Sequence, residues 1–139
     1  MGMLLRKLKD CGIYGDTPFI FTTDHGMYIG EHDRVGKSHI NPDDDRGAWP
    51  LYGEITHIPL MVKAPRCKGG VRRTEFVQPP DICPTILEAA GVEVSADMMG
   101  RSLMPLLSGE ATAPWDRKCA VSASGPLRTG SSVTVTDGA

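Results

Sequence analysis

The chain has 139 residues, a length that suits one domain. Its 15 basic and 17 acidic residues leave a formal charge of −2 with no basic stripe, which argues against a nucleic-acid partner. No apolar run approaches the roughly 20 residues of a membrane span, and 16 Gly with 11 Pro predict a globular chain rich in loops. Cys11, Cys67, Cys83 and Cys119 are scattered without a CxxC pair. That spacing argues against a structural zinc knuckle and reads as free, partly buried thiols.

Leu4, Leu5, Leu8 and Cys11 recur at helical spacing, so a short amphipathic helix is expected, stopped by Gly12. Phe19-Ile20-Phe21-Thr22-Thr23 is a short β-rich run after Pro18. Such a run suits a parallel strand buried on both faces. It stops at Asp24-His25-Gly26, which presents two polar side chains at the strand's C-terminal edge. Open α/β sheets bind ligands at that edge, because the loops there leave a crevice.

Gly26 to Pro50 reads as one long polar loop, with Asp43-Asp44-Asp45 at a solvated tip. Leu51 to Ile55 predicts a helical turn, and Ile58-Pro59-Leu60-Met61-Val62 a second buried strand. Cys67 to Arg73 is a basic turn. Asp81 to Ala90 is the clearest helix, with Asp81 as its cap, Pro84 in its first turn and Gly91 as its stop. A shorter helix follows over Ser102 to Leu107, capped by Ser102 and ended by Gly109. Cys119 to Val121 and Val133 to Val135 read as strands. No phosphate-binding glycine loop is present, which sets a kinase or ATPase aside.

Chemistry concentrates between Thr22 and His39. A carboxylate and an imidazole at the end of a strand are metal-ligand types, and Gly26 permits close approach of backbone or ligand. Lys37, thirteen residues after Asp24, supplies a positive charge for an anionic oxygen.

Thr23-Asp24-His25-Gly26, Ile29-Gly30-Glu31-His32 and Gly36-Lys37 resemble, in order and spacing, the sulfatase family of the alkaline-phosphatase superfamily. The resemblance continues through Tyr52-Gly53-Glu54 to Pro59-Leu60, Asp81-Ile82-Cys83-Pro84-Thr85-Ile86-Leu87, and Gly100-Arg101-Ser102-Leu103-Met104-Pro105-Leu106-Leu107. It covers roughly residues 3–110. It implies an α/β fold, a partial alkaline-phosphatase-like sheet with flanking helices, truncated at both ends. Residues 1–110 would form the C-terminal part of the catalytic domain, and 111–139 the start of an incomplete C-terminal subdomain.

The resemblance also implies the site. Asp24 and His25 would be metal ligands, Lys37 would contact the sulfate ester as a catalytic and substrate-binding group, and His39 would reach the substrate's leaving side. Glu31 and His32 would fix the loop. The implied cation is Ca²⁺, with Zn²⁺ or Mn²⁺ as alternatives because imidazole suits them better. The family's nucleophile is a formylglycine made from Cys or Ser in Cys/Ser-x-Pro/Ala-x-Arg, and none of the four cysteines stands in that pattern. The implied partner is a small-molecule or carbohydrate sulfate ester. The isolated chain is expected to be inactive. A phosphodiesterase or phosphonate monoester hydrolase of the same superfamily, or a non-catalytic remnant, are the alternatives.

Overall fold

The structure is a computed structural model that describes residues 1–36, 38–39, 51–65, 67–109, 115–124 and 132–138, with Ser38 and His39 described by their backbone. Lys37 and Asp43-Asp44-Asp45 lie outside the described residues. In chain order the elements are helix α1 (Gly2–Asp10), strands β1 (Phe19–Thr22), β2 (Tyr28–Ile29), β3 (Arg34–Gly36) and β4 (Ser38–His39), then helix α2 (Gly53–Thr56). There follow β5 (Leu60–Lys63), helices α3 (Ile82–Ala89) and α4 (Met104–Ser108), and strands β6 (Ala120–Ser124) and β7 (Ser132–Thr136). Short 3₁₀ turns occupy Glu31–Asp33 and Pro79–Asp81. The chain forms two compact units, one of Met1–Phe21 with Met61–Asp116 and one of Thr22–Leu60 with Arg117–Ala139.

In the first unit, α1 ends where its apolar spacing ends. Gly12 takes φ +70°, its N–H donates to the Lys9 carbonyl at 2.9 Å, and that of Ile13 donates to Leu8 at 3.1 Å. This is a Schellman cap, which satisfies the helix's last carbonyls and needs a left-handed residue. Lys63, at the end of β5, pins the turn that follows. Its Nζ donates to the carbonyls of Tyr14 (2.7 Å), Gly15 (3.0 Å) and Thr17 (3.2 Å), and lies 4.6 Å from the Tyr14 ring centre. β1 and β5 pair in a two-stranded sheet. The expected burial on both faces is not found: Phe21 is 37% and Met61 54% exposed. A sheet of two strands has too little cover to enclose both faces. β5 also starts two residues later than expected, at Leu60, after Pro59, which has no N–H to give a ladder.

Asp81 was the expected cap of α3, and its carboxylate has a different task. One oxygen accepts the Gln78 N–H at 2.7 Å and the other the Arg101 N–H at 2.8 Å, while the side chain is fully buried. Thr85, one turn on, donates its hydroxyl to the Asp81 carbonyl at 2.6 Å and accepts the Leu103 N–H at 2.9 Å. Gly100 lies so close that a Cβ there would sit 1.9 Å from the Pro80 carbonyl oxygen. The two downstream motifs are therefore halves of one clasp, in which side chains of the first satisfy backbone N–H groups of the second. At α4 the N-cap is Leu103 rather than the expected Ser102, because the helix starts later, at Met104; the Met104 N–H still donates to Ser102 Oγ at 3.2 Å, and Gly109 ends the helix.

In the second unit the expected long loop is structured over its first half. β2 and β3 pair antiparallel with Tyr28 opposite Gly36, and β3 pairs with β4 with Arg34 opposite His39. Strands of two or three residues are too short for alternation to be legible. β6 and β7 form an antiparallel ribbon with Val121 opposite Val135. The Thr134 hydroxyl donates to the Leu51 carbonyl at 3.3 Å. Leu51, Tyr28 and Ile55 make the buried apolar cluster. All four cysteines are free, as expected, but Cys11 and Cys83 are exposed rather than partly buried.

Candidate active site

The site is built where β1 runs out. Beyond Thr22 the chain turns on its own side chains: the Thr23 hydroxyl lies 3.1 Å from the His25 carbonyl and 3.3 Å from Asp24 Oδ1. The His25 N–H donates to the same Oδ1 at 3.0 Å. One carboxylate oxygen of Asp24 is thus engaged by the turn, which leaves Oδ2 to face the His25 ring. His25 Nε2 lies 3.4 Å from it. The other ring nitrogen, Nδ1, is 2.7 Å from the Gly26 carbonyl oxygen.

Partial desolvation acts to raise the Asp24 pKa, but the neighbouring His25 charge and hydrogen bonds from the His25 backbone and Thr23 outweigh it. The carboxyl is held below its ordinary 3.8. It is an anion at neutral pH.

Gly26 explains why the motif ends in glycine. Its N–H donates to the Ile55 carbonyl at 2.9 Å, and a Cβ at this position would fall 1.8 Å from the Glu54 carbonyl oxygen. The close approach expected at Gly26 is therefore made by the backbone of α2. The Tyr52-Gly53-Glu54-Ile55 segment has its own role here, as the wall against which Asp24-His25-Gly26 is set.

His32 braces the same wall. Its ring stacks on Tyr52 with centres 3.9 Å apart and planes 20° apart, meets Tyr28 edge-on at 5.9 Å, and brings Nε2 within 3.4 Å of Glu54 Oε1. It does so from a left-handed backbone, φ 56°, followed by Asp33 at φ 54°. Such strain persists where surrounding contacts over-determine it. Glu31 accepts the Ile29 N–H at 2.6 Å, a bond that holds its carboxyl below the ordinary 4.5. Both residues fix the loop, as expected of them. The long-range partners Tyr52, Glu54 and Ile55 were missed as site residues, and their signal was the Tyr-Gly-Glu motif itself.

Asp24 Oδ2 and His25 Nε2 together offer a hard oxygen and a borderline nitrogen, side by side. Two lone-pair atoms this close are compatible when a proton or a metal cation lies between them. The pair fits one edge of a divalent-cation site. Among the described residues no group of three or more His, Cys, Asp or Glu side chains is arranged to hold a metal. Lys37 and the His39 side chain lie outside the described residues, so the geometry brings together Asp24 and His25 alone of the four expected site residues.

The family model of N-sulphoglucosamine sulphohydrolase, C-terminal, matches residues 47–121. Arylsulfatase K of Xenopus laevis is 35% identical over 111 residues, covering 80% of this chain and 19% of that protein. A protein solved in complex with its substrate D-glucosamine-2-N,6-O-disulfate superimposes with a TM-score of 0.77 at 29% identity, over 98% of this chain and 26% of its own. A phosphonate monoester hydrolase from Silicibacter pomeroyi gives a TM-score of 0.74 at 35% identity, over 91% of this chain and 23% of its own. The chain spans about a fifth of the length of the curated relatives it matches. The chain belongs to the sulfatases of the alkaline-phosphatase superfamily, whose C-terminal region it matches.

Proposed function

We propose that this chain supplies part of the active site of an enzyme that hydrolyses sulfate esters of a carbohydrate or another small molecule. The observation that carries the reading is the Asp24 Oδ2 to His25 Nε2 approach of 3.4 Å at the end of β1, in a chain of sulfatase descent. Asp24 and His25 are the residues that would hold a divalent cation. Ca²⁺ is the first candidate on family grounds, with Zn²⁺ or Mn²⁺ favoured by the imidazole nitrogen. A cation there supplies Lewis-acid stabilisation of the charge that builds on the ester oxygens.

Lys37 is assigned the sulfate group, where a fixed ammonium lowers the energy of a developing oxyanion. His39 is assigned the leaving side. Asp24 contributes a full negative charge, since its carboxyl stays ionised, and His25 contributes an imidazole nitrogen. The nucleophile in this reading is a formylglycine, and none of the four cysteines stands in the required motif. Two ligands make a weak site, since affinity for such a cation depends on several oxygen donors acting together.

The test uses the natural gene product that carries this chain, assayed in parallel on 4-nitrophenyl sulfate and on a phenylphosphonate monoester. Faster cleavage of the sulfate, abolished by Asp24→Ala and by chelation and lowered at least tenfold by Lys37→Ala, supports the reading. Faster cleavage of the phosphonate selects the other chemistry of the superfamily, which the likeness to the phosphonate monoester hydrolase makes the second reading. The 139-residue chain alone is expected to turn over neither.

A further inference from the structure

We infer that His32 is a positioning residue for the cation ligands: stacked on Tyr52, it fixes α2, and α2 fixes the Gly26 backbone that follows Asp24 and His25. The inference deepens the reading of Asp24 and His25 as the residues that would hold a divalent cation, and it rests on that reading.

α2 cannot hold its own place. It is a single turn, Gly53–Thr56, and no side chain caps its start at Tyr52. So short a helix is unstable by itself, because nucleating a turn fixes several dihedrals for one hydrogen bond. Contacts from outside the turn set its position. Ile55 is buried in one cluster with Tyr28 and Leu51. Tyr52, just before the turn, stacks against the His32 ring at 3.9 Å, and its N–H donates to the Tyr28 hydroxyl at 3.4 Å. His32 Nε2 also comes within 3.4 Å of Glu54 Oε1 inside the turn. One apolar anchor leaves a turn free to rotate about it. A second anchor, at Tyr52 and Glu54, stops the rotation.

The same turn meets the Asp-His-Gly segment through its carbonyls. The Ile55 oxygen accepts the Gly26 N–H at 2.9 Å, and the Glu54 oxygen fills the space where a Cβ of Gly26 would stand. The Gly26 carbonyl in turn lies 2.7 Å from His25 Nδ1, and His25 Nε2 lies 3.4 Å from Asp24 Oδ2. Close-packed contacts of this kind transmit displacement rather than absorb it. His32 makes its stack from a left-handed backbone at φ 56°, a conformation kept only where surrounding contacts require it. Groups that orient metal ligands from outside matter to the site they support, and their loss typically costs about 10–100-fold in affinity.

The test uses the natural gene product that carries this chain, freed of metal by chelation and titrated calorimetrically with Ca²⁺, Mn²⁺ and Zn²⁺ in turn. Binding that Asp24→Ala removes is the signal. His32→Asn suits the left-handed backbone and deletes the ring, Tyr52→Leu deletes the other half of the stack, and Tyr52→Phe keeps it. Thr85→Val, in the first unit, is the control for lost stability. The expected affinity is about tenfold weaker in His32→Asn and Tyr52→Leu, and within about twofold of the parent in Tyr52→Phe and Thr85→Val. Circular dichroism establishes which variants fold. A folded His32→Asn or Tyr52→Leu protein that binds as tightly as the parent overturns the inference, as does equal weakening in Tyr52→Phe or Thr85→Val. If neither ring deletion folds, the stack serves the fold alone and the inference falls. The two failures separate. Each of those outcomes leaves the effect of Asp24→Ala intact and the cation reading standing. A parent whose binding Asp24→Ala does not change removes that reading, and the inference with it.

Discussion

Gly26 and Ile55 are joined by a 2.9 Å hydrogen bond from the Gly26 N–H to the Ile55 carbonyl, across 29 residues of sequence. The bond brings the backbone of α2 against the one residue of the Asp-His-Gly turn that has no side chain. Specificity of position here comes from the absence of atoms.

Gly26→Ala is expected to destabilise the fold, since its Cβ would overlap the Glu54 carbonyl, a backbone atom that cannot swing aside. Overpacking of this kind costs about 1–3 kcal/mol. Gly69→Ala is the control, because a Cβ there meets nothing within 4 Å, and its effect should stay within about 0.5 kcal/mol. Urea midpoints of the two variants check the contrast.

Thr85→Val keeps the shape of the side chain and removes the acceptor for the Leu103 N–H, which lies in a residue only 3% exposed. A buried donor left without a partner costs about 1–3 kcal/mol. Thr85→Ser retains the hydroxyl and should lose less. Equilibrium unfolding in urea distinguishes them.

Acid should loosen the β2–β3 turn. The Glu31 carboxyl is held below its ordinary 4.5, chiefly by the Ile29 N–H, so the unfolded chain takes up this proton first as pH falls. The stabilising contribution is therefore complete above pH 4.5 and is lost as pH falls through the lower, folded-state value. A carbon NMR titration should place the Glu31 carboxyl midpoint below 4.5 in the folded chain. A midpoint at or above that value would contradict the 2.6 Å bond.

His32→Asn separates the ring from the backbone. Asparagine tolerates the left-handed region that His32 occupies at φ 56°, so the change removes the stack on Tyr52 without adding strain. The loss should be about 0.5–1.5 kcal/mol, the range for aromatic pairs. His32→Ala should lose more, having neither ring nor backbone preference, and thermal melts of the three proteins give the order.

Local signals were read well where they act locally. Gly12 and Gly91 take positive φ and end α1 and α3 where the apolar spacing ends, and Ser102 binds the start of α4. Asp24 and His25 were legible because they are adjacent and close a β-rich run. What escaped the sequence depends on distance along the chain or on very short elements. The strands of β2 to β4 are two or three residues long, so no period marks them. Asp81 looked like a helix cap from its neighbours, and only the return of Arg101 from 20 positions later reveals its second partner. The exposure of Phe21 and Met61 likewise depends on how many strands lie beside them, which an apolar run alone does not state.

The clasp in the first unit joins side-chain oxygens of Asp81 and Thr85 to the backbone N–H groups of Arg101 and Leu103, while Asp24 and His25 belong to the second unit. Inherited changes in the clasp would then reduce how much folded chain a cell accumulates, and a small molecule that stabilises the fold could restore that amount.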